Sequence, residues 1–187
     1  MTEEKAIEQR PLWVFGYASL MWNPGFPVAE RALATLIGFH RSFCMSSIHH
    51  RGTVENPGLV LALDPSADAR CTGLALRVED GAEATTIDYL RERELISSAY
   101  VERLLPVGLA NGTQVNALAY VVDTTHEQYV AHLSLQEQAE IIAHAVGGRG
   151  PNTEYLWNTV AHLAELGIED PDLRWLSDRV RALAPQT

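Results

Sequence analysis

Val14-Phe15-Gly16-Tyr17-Ala18-Ser19-Leu20-Met21-Trp22-Asn23-Pro24-Gly25-Phe26 is the stretch on which the reading of this chain turns. Leu12-Trp13-Val14-Phe15 has the length and apolar run of a short buried strand, and it leads straight into small and polar residues and then a bend rich in Pro and Gly. Gly16, Ala18 and Ser19 carry too little side chain to screen the backbone, so successive N–H groups there suit a concave nest for a carboxylate or a polarised carbonyl. The same pattern also suits a β-turn that binds nothing. Ser19 adds a hydroxyl, as a hydrogen-bonding group or as a nucleophile, but no G-x-S-x-G elbow surrounds it.

Outward from this stretch, composition sets the bounds. The chain has 187 residues, 47% apolar and 20% charged, which suits one domain with a sizeable core. Residues 1–10 are polar without a period and are expected to form a flexible tail; 11–187 are expected to form a single domain. Acidic residues outnumber basic ones, 24 to 14, for a net charge of −10. That balance argues against binding nucleic acid, whose phosphates need a basic face, and against an anionic membrane surface. No apolar run approaches the roughly 20 residues that span a bilayer, and no leader pattern opens the chain, so the expected location is cytoplasmic. Cys44 and Cys71 lack a C-x-x-C spacing and are expected to pack as small hydrophobes.

Strands are expected from Leu12, over Ala34–Ile37 and Phe39–Met45, over Leu59–Leu63 with Asp64-Pro65-Ser66 closing it, and over Cys71–Val78. His49–Gly58 reads as a loop. Tyr100–Leu109 and Val115–Val122 form a hairpin through Asn111-Gly112. The last third is helical: Ser134-x-x-Glu137 is a capping box, Asn152 is placed to cap a second helix through Leu166, and Asp170-Pro171 opens a third. Trp157 and Trp175 are expected in the core, and His144 and His162 on the surface or in packing. Strands first and helices later, without βαβ alternation, define an α+β fold on a mostly antiparallel sheet able to close into a barrel.

Between strands and helices, a helix from about Gly81 to Leu95 carries the chemistry. Its apolar stripe runs through Ile87 and Leu90 and reaches Glu94 one turn on, which puts an acid where the pattern wants a hydrophobe. Glu92, Arg91 and Arg93 fall on solvated positions. Glu94 therefore either ion-pairs with an arginine at the helix end or is a functional carboxylate whose pKa burial would raise, as a proton shuttle requires. His49-His50 lacks metal-ligand spacing, and no metal is expected.

These residues resemble a known family. The opening stretch is similar to the V-F-G-Y-G-S-L-x-W-x-P-G-F signature of ChaC-type γ-glutamylcyclotransferases, and His49–Thr53 with Pro57–Val60, Tyr89-Leu90 with Arg93-Glu94 and Tyr100, and Gly150–Asn152 with Tyr155-Leu156 resemble further blocks in the family's order. The resemblance implies a mixed, mostly antiparallel β-barrel with flanking helices, and a cofactor-free cleavage of glutathione to 5-oxoproline and cysteinylglycine. It places the catalytic glutamate at Glu94, the substrate cradle at Tyr17, Ala18, Ser19 and Leu20, and a substrate-binding tyrosine at Tyr100. Arg51 is the expected cation for a substrate carboxylate, with a loop-stabilising role as the alternative. Ala18 departs from the family's glycine, which would strain the loop if that position needed a positive φ. The expected assembly is a monomer or weak dimer. Two other readings stand beside this one: cyclisation of other γ-glutamyl amino acids or amines, and a non-catalytic binding protein linked to cation transport.

Overall fold

The computed structural model describes residues 11–184, so the expected tail at 1–10 lies outside it. Five strands close a mixed barrel in the order β1-β3-β2-β4-β5. They are β1 (Trp13–Gly16), β2 (Val28–Ser47), β3 (Gly58–Val78), β4 (Tyr100–Leu109) and β5 (Gln114–Val122). β1 pairs antiparallel with β3 and parallel with β5, whereas β2–β4 and β4–β5 are antiparallel. Helix α1 (Glu83–Glu94) joins β3 to β4; α2 (Leu135–His144), α3 (Asn152–Glu165) and α4 (Pro171–Leu183) form the C-terminal third. The described residues group into two compact units, 11–40 with 65–123 and 41–64 with 124–184.

Two strands run longer than their sequence suggests. β2 continues through Gly38, where φ of +88° lets the backbone kink without ending the strand. β3 continues through Asp64-Pro65-Ser66, which was expected to stop it. The missing Pro65 N–H falls in the exposed part of that strand, where water can serve the carbonyl left over.

In the first unit the core is Val14, Phe15, Ala75, Leu76, Leu90, Val107 and the inner residues of β5, all but shut off from water. In the second, Phe43, Leu59 and Leu63 of the strands and Ile142, Leu156, Leu173 and Leu176 of the helices are buried, with Phe43 edge-on to Tyr155 at 5.9 Å. Cys44 and Cys71 are free and buried. The capping box at Ser134 forms, and Asp170 caps α4 through the Leu173 N–H. Asn152 differs from its expected role: Pro151 is the N-cap, and the fully buried Asn152 side chain binds Leu59 instead, accepting from its N–H at 2.7 Å and donating to its carbonyl at 2.8 Å. Trp175 is 43% exposed and lies outside the core. The buried face of α4 runs through Leu173, Leu176, Ser177 and Val180, and a residue two positions after Leu173 points away from it.

Candidate active site

β1 carries the chain into the first unit's interior, and beyond Gly16 it bends into one turn of 3₁₀ helix, Ser19–Met21. The Met21 N–H binds the Ala18 carbonyl at 2.9 Å, and the Asn23 N–H binds the Ser19 carbonyl at 2.8 Å. Ser19 and Leu20 open the turn, where an N–H has no carbonyl behind it to bind. Tyr17, Ala18 and Leu20 are buried and Ser19 is half-buried. Ala18 has φ of −141°, outside the left-handed region, so alanine in place of the family's glycine brings no such strain.

Helix α1 presents two neighbouring charges to this loop's surroundings. Glu83 in its first turn and Arg91 and Arg93 in its last complement the helix dipole. Leu90 is fully buried and Glu92 exposed, as the helical period requires. Glu94, on the last turn, keeps 19% of its side chain exposed. Burial pushes its pKa above the ordinary carboxylate range, and the Arg93 guanidinium, with Nε 3.2 Å from Glu94 Oε1, pulls in the opposite direction without prevailing.

Arg93 itself was expected in solvent and is not there. Only 21% of its side chain is exposed. One amino group donates to the Ser19 hydroxyl at 3.0 Å, and the other to the Asn23 carbonyl at 2.7 Å, the Pro24 carbonyl at 3.3 Å and the Tyr89 hydroxyl at 3.0 Å. A stripe through Thr86, Leu90 and Arg93 has helical spacing too, and an arginine three residues after the buried Leu90 is the signal that could have placed it inward. Gly25 completes this corner: its φ is +76°, and an added Cβ would run into the Tyr89 hydroxyl.

Tyr100, half-buried, opens β4 opposite Val122. Two residues on, Glu102 faces Tyr120 of β5, accepts that phenol's hydrogen bond at 3.0 Å, and takes two donors from Arg91, the closer at 2.8 Å. Burial, then the Glu102 charge and hydrogen bond, then the charge of Glu94 hold the Tyr120 phenol protonated far above its usual range. Arg91 in this cluster answers Glu102, a pairing between α1 and β4 that no local pattern announces.

Arg51 belongs to the second unit. Its guanidinium donates to the Pro151 carbonyl at 3.1 Å, stands 3.8 Å from the Glu154 carboxylate and lies over the Tyr155 ring. His49 and His50 are exposed, and their carbonyls accept from the Gly148 and Arg149 N–H groups. Burial, with the charges of Arg149, His49 and Arg51, lowers the pKa of His50. A two-residue ladder, Val146–Gly147 with Gly150–Pro151, closes this region and was not foreseen. Among the described residues no three His, Cys, Asp or Glu side chains gather as a metal site would require, and no helix is long and apolar enough to cross a membrane.

The closed five-stranded barrel with its flanking helices is the fold of solved γ-glutamyl cyclotransferases. A yeast γ-glutamyl cyclotransferase specific to glutathione superposes with a TM-score of 0.80 at 25% identity, over 92% of this chain and 99% of that one. Its selenomethionine-labelled form gives 0.83 over 92% and 96%. The ChaC-like protein family model matches residues 12–183, and the chain belongs to that family. It is 36% identical to the glutathione-specific γ-glutamylcyclotransferase of Escherichia coli, over 94% of this chain and 75% of that protein. It is 33% identical to the protein of the same name from Schizosaccharomyces pombe, over 87% of each.

Proposed function

We propose that this chain is a cytoplasmic γ-glutamylcyclotransferase that cleaves glutathione to 5-oxoproline and cysteinylglycine, with Glu94 as general base and then general acid. The observation that carries the reading is the Glu94 carboxyl, half-buried, proton-affine and joined by Arg93 to the Ser19 loop. The names of the bacterial and fission-yeast relatives support the substrate.

The α-amino group of the γ-glutamyl end attacks its own γ-carbonyl carbon. It is an ammonium at neutral pH, so it first gives a proton to the Glu94 carboxylate. The freed amine forms the new C–N bond, and the carbonyl electrons move onto oxygen. When that oxyanion collapses, the bond to the cysteinyl nitrogen breaks and Glu94 returns its proton to the departing amine. The ring nitrogen sheds its second proton to the freed Glu94 carboxylate as it becomes the lactam N–H, and that proton goes on to the released amine, which leaves as an ammonium. Such acid–base help is typically worth about 10²–10⁴-fold. The N–H groups of Tyr17–Leu20 are proposed to hold the γ-glutamyl end and the developing oxyanion, with Tyr100 as a further substrate contact; one such donor is worth roughly 3–4 kcal/mol in other enzymes. Folding a flexible chain into attack geometry supplies an entropic share. The step is written without a cofactor, and the enzyme is proposed to work as a monomer or weak dimer.

The test is release of 5-oxoproline from glutathione by the purified chain, beside Glu94→Gln and beside γ-glutamyl-alanine as substrate. Release from glutathione alone, lost in the variant, supports the reading. Full activity of Glu94→Gln overturns the mechanism, preference for γ-glutamyl-alanine overturns the substrate, and no turnover of either overturns the enzyme.

A further inference from the structure

Arg93 binds more of the loop than an ion pair with Glu94 would require. Its planar fork meets the Ser19 hydroxyl with one amino group, and the Asn23 and Pro24 carbonyls with the Tyr89 hydroxyl with the other. Its Nε stands 3.2 Å from Glu94 Oε1, an ion pair between neighbouring residues. We infer that Arg93 is a positioning residue of the reaction, whose guanidinium fixes the Glu94 carboxyl and the Ser19–Pro24 segment relative to each other. The inference rests on Glu94 being the acid/base.

The argument is geometric. A guanidinium cannot move toward Glu94 without dragging donors away from the loop, because its five N–H groups lie in one rigid plane. Ser19, Asn23, Pro24 and Tyr89 all offer neutral oxygens. They hold the group in place while leaving its charge to act on Glu94. A lysine ammonium would keep the charge but could not span the same set of acceptors. The helix supplies the foundation, since Arg93 sits one turn beyond the fully buried Leu90.

Arg93 also bears on when Glu94 is a base. The ionisable groups around that carboxyl are Arg93 beside it and the Tyr120 phenol of β5, which feels the Glu94 charge; Glu102 of β4 and Arg91 engage each other behind that phenol. Of these, Arg93 is the cation that opposes the burial of Glu94.

The experiment uses the full chain with Arg93→Gln and Arg93→Lys, read by kcat and KM for glutathione across pH, by carboxyl NMR titration of Glu94 without substrate, and by thermal unfolding. In Arg93→Gln the Glu94 titration moves to higher pH, the acid limb of kcat/KM follows it, and KM rises on the order of ten-fold or more, the scale of a lost charge-assisted hydrogen bond. In Arg93→Lys the limb returns toward its wild-type position while KM stays raised. An unmoved Glu94 titration in Arg93→Gln, or a KM unchanged in both variants, overturns the inference. If Arg93→Gln does not fold, Arg93→Lys decides: raised KM with the limb in place supports it, and wild-type KM overturns it. The titration needs no turnover. A wild-type chain that releases no 5-oxoproline sinks the proposed function, while the titration still tells whether Arg93 governs Glu94.

Discussion

Arg93 Nε stands 3.2 Å from Glu94 Oε1, and still the Glu94 carboxyl holds its proton to higher pH than an ordinary glutamate. Burial outweighs the neighbouring cation. A base must be deprotonated to act, so kcat/KM should fall on the acid side with an apparent pKa above the usual carboxylate range. Glu94→Gln should lower kcat by about 10²–10⁴-fold, the ordinary worth of acid–base help. Initial rates of 5-oxoproline release between acid and neutral pH measure both; a limb at the position of a solvent-exposed glutamate would contradict the first.

The same raised pKa has a cost in stability. A carboxyl whose folded pKa lies above its unfolded value favours the fold while protonated, and that contribution is lost as pH rises through the folded pKa. Above it, the wild-type chain carries a poorly solvated charge that glutamine does not. Glu94→Gln is therefore expected to melt higher than wild type at neutral and mildly alkaline pH, with the gap closing as pH falls below the unfolded value. Thermal unfolding over that range checks the sign.

Asn152 imitates a strand partner for Leu59, meeting both its N–H and its carbonyl from a fully buried position. Asn152→Ala leaves two buried backbone groups unmet, at about 1–3 kcal/mol each. Denaturant unfolding should show a loss of about 2–6 kcal/mol on that basis. Asn152→Asp is not expected to rescue it, because a carboxylate oxygen would then face the Leu59 carbonyl.

Gly25 is tied to Tyr89 by shape. With φ of +76° and the Tyr89 hydroxyl where a Cβ would go, Gly25→Ala is strained twice. The backbone share alone is about 1–2 kcal/mol. Since Tyr89 also accepts from Arg93, KM for glutathione should rise along with the fall in stability; steady-state kinetics and unfolding on one preparation test the pair.

Much of this molecule is determined by local sequence. The short apolar run of β1, the Asn111-Gly112 hairpin, the capping box at Ser134 and the Asp170-Pro171 start of α4 each follow from neighbours a few residues apart, and they form as expected. The inward place of Glu94 was legible for the same reason, because a helix repeats every 3.6 residues. Tertiary structure decided what depends on partners far along the chain. Arg93 looks solvated until Ser19, seventy-four positions earlier, is folded against it, and Asn152 looks like a cap until Leu59, ninety-three positions away, presents its backbone. β3 runs through Pro65 because that part of the strand is exposed. Periodicity and capping report the backbone's own preferences, whereas a hydrogen bond between distant residues exists only after the barrel has brought them together. The loop after β1 and the acid on α1 could be read from the sequence; helical spacing could have turned Arg93 inward, but that its guanidinium meets Ser19 was decided by the folded barrel.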